Sequence, residues 1–133
     1  MRLLLTHGFF LAEDPKEQQI MRPYPPLGIL YLSAYLRARG FDVDVYDSTF
    51  GSRAELFDIL DAGPPGMLGI YGNLLTRAAV LAILERARAA GWIVVLGGPE
   101  PANYAAEYRA AGAHHIIAGE GERALEQLLS GAP

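Results

Sequence analysis

Gly97 and Gly98 follow directly on the apolar run Ile93–Leu96 and precede Pro99 and Glu100. Glycine reaches backbone angles closed to other residues, and two in succession leave main chain bare enough for a ligand to lie against it. The turns Tyr71, Gly72, Asn73 and Gly119, Glu120, Gly121 end two further apolar runs in the same way. The titratable candidates are His7, with Gly8 beside it, the neighbours His114 and His115, and the carboxylates Glu100, Glu120 and Glu122. His7 ends an apolar run and is placed either to meet a ligand or to serve the fold. Adjacent histidines on a strand point to opposite faces, so structural roles are expected for His114 and His115 rather than one shared metal. The glutamates suit acid–base work, but negative charge is also favoured at helix N-termini, and capping is the expected role.

The chain has 133 residues, 51% of them hydrophobic, and no cysteine. That length and composition suit one domain, residues 1–133, with a single core. The lack of cysteine excludes disulfides, thiolate metal sites and an iron–sulfur cluster held by this chain. Net charge is −4, and Lys16 is the sole lysine among eleven basic residues, which are scattered. Nucleic acid, which needs a concentrated positive face, is not an expected partner. The opening "MRLLLTHGFF" is too short to span a bilayer and lacks a cleavage site, so a cytoplasmic location is expected.

"RARGFDVDVYD", "RAAGWIVVLGG" and "RAAGAHHIIAGE" repeat one local pattern: a helical end, a glycine (Gly40, Gly91, Gly112), then a β-rich run. Glycine in the left-handed region commonly closes a helix, so the pattern predicts three helix-to-strand junctions. Strands are expected at Arg2–Thr6, Phe41–Tyr46, Met67–Tyr71, Trp92–Leu96 and His115–Ala118. Helices are expected at Leu27–Arg39, entered through Pro25 and Pro26, at Arg53–Leu60 capped by Ser52, and at Arg77–Ala90 capped by Thr76. Two more are expected at Ala102–Ala111 and Glu122–Ser130. Asp42 and Asp44 alternate with Phe41, Val43 and Val45, which marks an edge strand, whereas Trp92–Leu96 is apolar throughout, as a central one should be. Tyr31 and Tyr35, like Tyr104 and Tyr108, are spaced for packing along a helix. Phe9 and Phe10 open a loop of unusual length and suggest a lid, an interface or a fold-back onto the core. Alternation of this kind predicts an α/β fold with a doubly wound, flavodoxin-like (Rossmann-like) five-stranded parallel sheet of order 2-1-3-4-5 and helices on both faces.

Ligands of such sheets lie beyond the carboxyl ends of the strands. The loops there are rich in glycine and nearly free of lysine and arginine. A phosphoacceptor site is absent, because Thr6 and His7, Tyr71, and Ala118 and Gly119 stand where its acidic residues and lysine belong. A P-loop and a dinucleotide fingerprint are absent too. "THGFFLAEDPKE" makes a poor phosphate cradle.

The runs "RPYPPLGILYLSAYLRARGFDVDVYDS", "GIYGNLLTRAAVLAILERARAAG", "VVLGGPEP" and "IIAGEGERALEQLL", in this order, resemble the cobalamin-binding domain that precedes the catalytic domain in many cobalamin-dependent radical SAM enzymes. The resemblance covers nearly the whole chain. It implies a corrinoid over the carboxyl ends of the strands, with its nucleotide tail in a slot beside Gly97 and Gly98. Pro26, Leu27 and Gly28 would border the ring with Tyr71, Gly72 and Asn73. Gly119, Glu120 and Gly121 would close the far wall, and His7, Gly8, Pro99 and Glu100 complete the expected binding set. A side chain at Gly98 is expected to fill the slot and leave the fold largely intact.

Members that ligate cobalt carry Asp-x-His-x-x-Gly after the first strand, and "LLLTHGFF" lacks that spacing, which implies a weak or absent lower ligand. Ser-x-Leu after the third strand is replaced by "YGNLL". The three-cysteine motif of the radical SAM cluster is missing, so the chain is not catalytic on its own. S-adenosylmethionine and a [4Fe-4S] cluster would belong to a catalytic domain absent from this chain, with the chain as the N-terminal part of a longer enzyme. The alternative is a flavodoxin-like flavin- or nucleotide-binding domain, or an interaction module.

Overall fold

The computed structural model describes residues 2–13 and 27–131. Strands β1 (Leu3–His7), β2 (Val43–Val45), β3 (Met67–Tyr71), β4 (Ile93–Gly97) and β5 (His115–Ile117) form one parallel sheet in the order β2-β1-β3-β4-β5. Among the described residues six α-helices surround it: α1 (Leu27–Ala38), α2 (Arg53–Ala62), α3 (Arg77–Ala89), α4 (Pro99–Asn103), α5 (Ala105–Ala111) and α6 (Glu122–Leu129). The chain therefore has the doubly wound, flavodoxin-like sheet that its alternating pattern predicts.

Side-chain alternation along the strands separates two cores. Leu4, Leu68, Ile70, Val94 and Leu96 pack under Val80, Ile83 and Leu84 of α3, with Leu56 and Leu60 of α2 and Tyr108 of α5. Leu3, Leu5, Met67 and Val95 face the other way, toward Ile29 and Leu36 of α1 and Leu125 of α6. Trp92 is fully buried, and its indole N–H donates to the Leu60 carbonyl at 2.9 Å. β2 lies at the sheet edge with Val43 buried and Asp44 exposed, and β4 is covered on both faces.

Gly40, Gly91 and Gly112 have φ of 86°, 90° and 120°, so each repeated glycine does turn a helix end into the left-handed region. Ser52 caps α2 through the Glu55 N–H, 3.0 Å away. Two helical expectations need correction. The predicted helix Ala102–Ala111 begins earlier, at Pro99, and is broken at Tyr104 (φ −124°, ψ 42°) into α4 and α5. Thr76 makes no side-chain cap on α3; its hydroxyl accepts from the Asn73 N–H in a reciprocal capping box over Leu74–Thr76. Phe10 folds back into the core, 3% exposed, and Arg53 forks onto Glu13 to tie the Leu11–Glu13 turn to α2.

Candidate functional site

A cavity of about 470 Å³ opens at the carboxyl end of the sheet, between its α1/α6 face and those two helices. That volume is in the range of small-ligand sites. Its origin lies in the strands. The paired rows are Leu5, Gly69, Val95 and, one step nearer the carboxyl end on the same face, Tyr71, Gly97, Ile117. Glycine in both rows removes two side chains from a face that would otherwise be packed. A Cβ built on Gly97 meets nothing within 4 Å, and one on Gly28 in the first turn of α1 is equally free. At Gly69 it would come within 2.7 Å of Leu5 Cδ2, so a side chain there would have to push Leu5 aside.

The walls are aliphatic: Ile29 and Leu32 from α1, Ile117 from β5 and Leu125 from α6, with Leu5 and Val95 below. Glu120 and Glu122 supply the charged side chains of the lining, and no lysine or arginine among the described residues belongs to it. Farther along the helices the Tyr35 hydroxyl donates to Glu126 at 2.9 Å, and Arg39 lies 3.3 Å from the same carboxylate. That acceptor pushes the Tyr35 phenol above its ordinary range, ahead of smaller effects from burial and Arg39. These contacts pin α1 to α6 away from the mouth. Around the carboxyl end, Leu27, Tyr71, Leu74 and Leu75 present exposed apolar surface, Leu75 almost completely.

Of the residues singled out in the sequence, Gly28, Tyr71, Gly97, Gly98, Pro99, Gly119, Glu120 and Gly121 line this cavity. Pro26 lies outside the described residues, as does Pro25. Leu27 is exposed beside the cavity-lining Gly28 and is not itself part of the wall. Gly8 and Gly72 are packing positions: a Cβ on either would press on Val80 Cγ2 of α3, at 2.7 and 3.2 Å. Asn73 spends its side-chain oxygen on the Thr76 N–H. Glu100 is buried and paired with Arg77, with the Tyr108 hydroxyl 3.4 Å away, so it clamps α4 to α3. Arg77 also lies over the half-exposed Tyr104 ring.

His7 also faces protein rather than cavity. Its Nδ1 accepts the Phe9 N–H at 3.1 Å, which leaves the proton on Nε2, and Nε2 donates to Asp47 at 2.7 Å. Burial alone would raise the Asp47 carboxyl, but hydrogen bonds from His7 and Thr49 outweigh it and hold the group below the usual carboxylate range. Thr6 completes the tie by donating to the Tyr46 carbonyl. His114 Nδ1 accepts from the Val94 N–H at 2.9 Å, and burial, with Arg88 and His115 nearby, lowers its pKa. Its role is the structural one expected. No group of three or more histidine or acidic side chains able to hold a metal occurs among the described residues. No helix among them is long and apolar enough to cross a membrane.

The two glycines after β4 do different work. Gly98 has φ 104°, and a Cβ there would drive into the Gly72 carbonyl oxygen, so this glycine is demanded by the turn itself. The expectation that a side chain at Gly98 would spare the fold is therefore corrected; Gly97 is the position where a side chain has room and would enter the cavity. Gly69 was not anticipated, although a lone glycine inside an apolar strand is a signal of close approach by another group. The aliphatic walls carried no separate signal, since any buried face of such a sheet reads the same way.

Comparison with known proteins bears on what this cavity is for. Among curated proteins none matches the chain. The family model described as B12 binding domain matches residues 20–129, which takes in Gly69 and Gly97, α1 and α6. A cleft at the carboxyl end, floored by bare backbone, fits a domain that holds a corrinoid, and the chain belongs to the B12 binding domain family.

Proposed function

We propose that the chain carries its corrinoid with the macrocycle over the carboxyl ends of the strands and the nucleotide tail in the cavity beside Gly69 and Gly97. One observation carries this reading: the face between α1 and α6 lacks one side chain in each of two successive rows, and the space left is walled mainly by aliphatic side chains. Gly28, Gly119 and Gly121 would border the tail, and the apolar surface of Leu27, Tyr71, Leu74 and Leu75 offers a floor for a large, flat group. Both nitrogens of His7 are engaged within the protein, which supports a corrinoid without a protein histidine on cobalt.

Bound cobalamin supplies cobalt–carbon and cobalt redox chemistry. What this chain's residues would contribute is a seat and an orientation, with the tail sequestered from water. We further propose that the domain serves a radical SAM catalytic domain, in methyl transfer or another radical reaction, with S-adenosylmethionine and a [4Fe-4S] cluster held by that domain. The flavin or nucleotide alternative is disfavoured by the lining: among the described residues its charged side chains are Glu120 and Glu122, which repel the doubly charged terminal phosphate of FMN more than the singly charged phosphodiester of a corrinoid tail.

Visible-absorbance titrations of the purified chain with hydroxocobalamin and, separately, FMN test the reading. Saturable corrinoid binding with the spectrum of a displaced lower base is expected, and no saturable FMN binding. Saturation by FMN alone would overturn it.

A further inference from the structure

We infer that the cavity selects among corrinoids by the chemistry of the tail base, favouring a hydrocarbon-rich base such as dimethylbenzimidazole over a purine. The inference rests on the proposed tail site. Among the described residues, Leu5, Ile29, Leu32, Val95, Ile117 and Leu125 close on the space without a side-chain donor or acceptor, and the half-exposed Tyr71 adds one hydroxyl.

The floor is equally unresponsive. Gly69 lies inside β3 and Gly97 ends β4, each with paired strands on both sides, and the Gly97 carbonyl accepts from the Gly72 N–H at 2.9 Å. Backbone committed to the ladder has little left to offer a ligand. The charged groups of the lining sit at one wall, where Glu120, Glu122 and the N-terminus of α6, which has no side-chain cap, meet the cavity.

Adenine carries an exocyclic amine and, like any purine, ring nitrogens that a benzimidazole lacks. Moved from water into this space, those groups lose hydrogen bonds that the walls cannot replace. The methyl groups of dimethylbenzimidazole gain by the same transfer. Differences of this kind in an apolar pocket are worth on the order of 10- to 100-fold in affinity.

Parallel absorbance titrations of the 133-residue chain with cobalamin, the adenine-tailed cobamide and tail-less cobinamide decide the matter. Cobalamin is expected to bind at least about tenfold more tightly than the adenine-tailed form, and cobinamide more weakly than cobalamin. Leu32→Gln, which places an amide on the half-buried wall of α1, is expected to narrow the ratio by improving the adenine-tailed form. Equal affinities for the two tailed corrinoids would overturn the selectivity and leave the corrinoid reading intact. Cobinamide binding as tightly as cobalamin would remove the tail from the cavity, and a ratio unchanged by Leu32→Gln would take the discrimination away from this wall. Failure of all three corrinoids to bind would overturn both readings.

Discussion

Gly97→Val should move stability and binding in opposite directions. Gly97 is the last residue of β4, outside the left-handed region, and its missing Cβ faces open space. Replacing glycine at a compatible position reduces unfolded-chain entropy and is worth about 0.4–1 kcal/mol. Valine would also bury its methyl groups against Val95 and Ile117, adding about 1 kcal/mol because the cavity stays open on one side. The ligand-free protein should therefore gain roughly 1–2 kcal/mol, or about 4–8 °C in Tm for a domain of this size. Binding should suffer. Excluding a buried ring of phenylalanine size costs about 1.5–3 kcal/mol, roughly 10- to 150-fold in Kd. Thermal unfolding of the ligand-free protein and absorbance titration with hydroxocobalamin measure the two effects, with cobinamide as the control whose affinity should change little. Unchanged cobalamin affinity in a stabilised variant would refute the tail site, and equal losses for cobalamin and cobinamide would refute the assignment of the cavity to the tail.

The neighbouring glycine should behave differently: Gly98→Ala, at φ 104° and against the Gly72 carbonyl, should cost about 1–3 kcal/mol and lower Tm. A Tm within a degree of the parent would show that the turn relaxes freely. His7→Ala leaves the Phe9 N–H and Asp47 without their partner, so stability should fall by about 1–3 kcal/mol while the visible bands of the bound corrinoid stay in place. A shift in those bands would reinstate His7 as a cobalt ligand. His114 must keep its Nδ1 lone pair to accept from Val94, and its folded pKa lies below the ordinary value of about 6.5. The folded state then binds fewer protons than the unfolded one, so this contribution is complete above about pH 6.5 and is lost as pH falls through the folded pKa. Urea titrations between pH 7.5 and 5 should show that decline, and His114→Gln should flatten it.

Sequence alone determined the alternation of strands and helices, the three closing glycines, the edge position of Val43–Val45 and, through the order these require, the end of the sheet where a ligand belongs. Such features are local or follow from hydrophobic period and chain handedness, so they can be read along the chain. Part of the cavity lining was legible too, because the turns containing Gly97, Gly98, Gly119 and Gly121 announce themselves as glycine clusters. What only the tertiary structure decided is which side chains meet. His7 and Asp47 are 40 residues apart and pair across adjacent strands. Glu100 was drawn to Arg77 by the packing of α4 on α3. Gly69 and Gly97 became one slot because strand register places their rows one step apart on a shared face. Register and helix placement are set by long-range burial, and no spacing within a single segment encodes them.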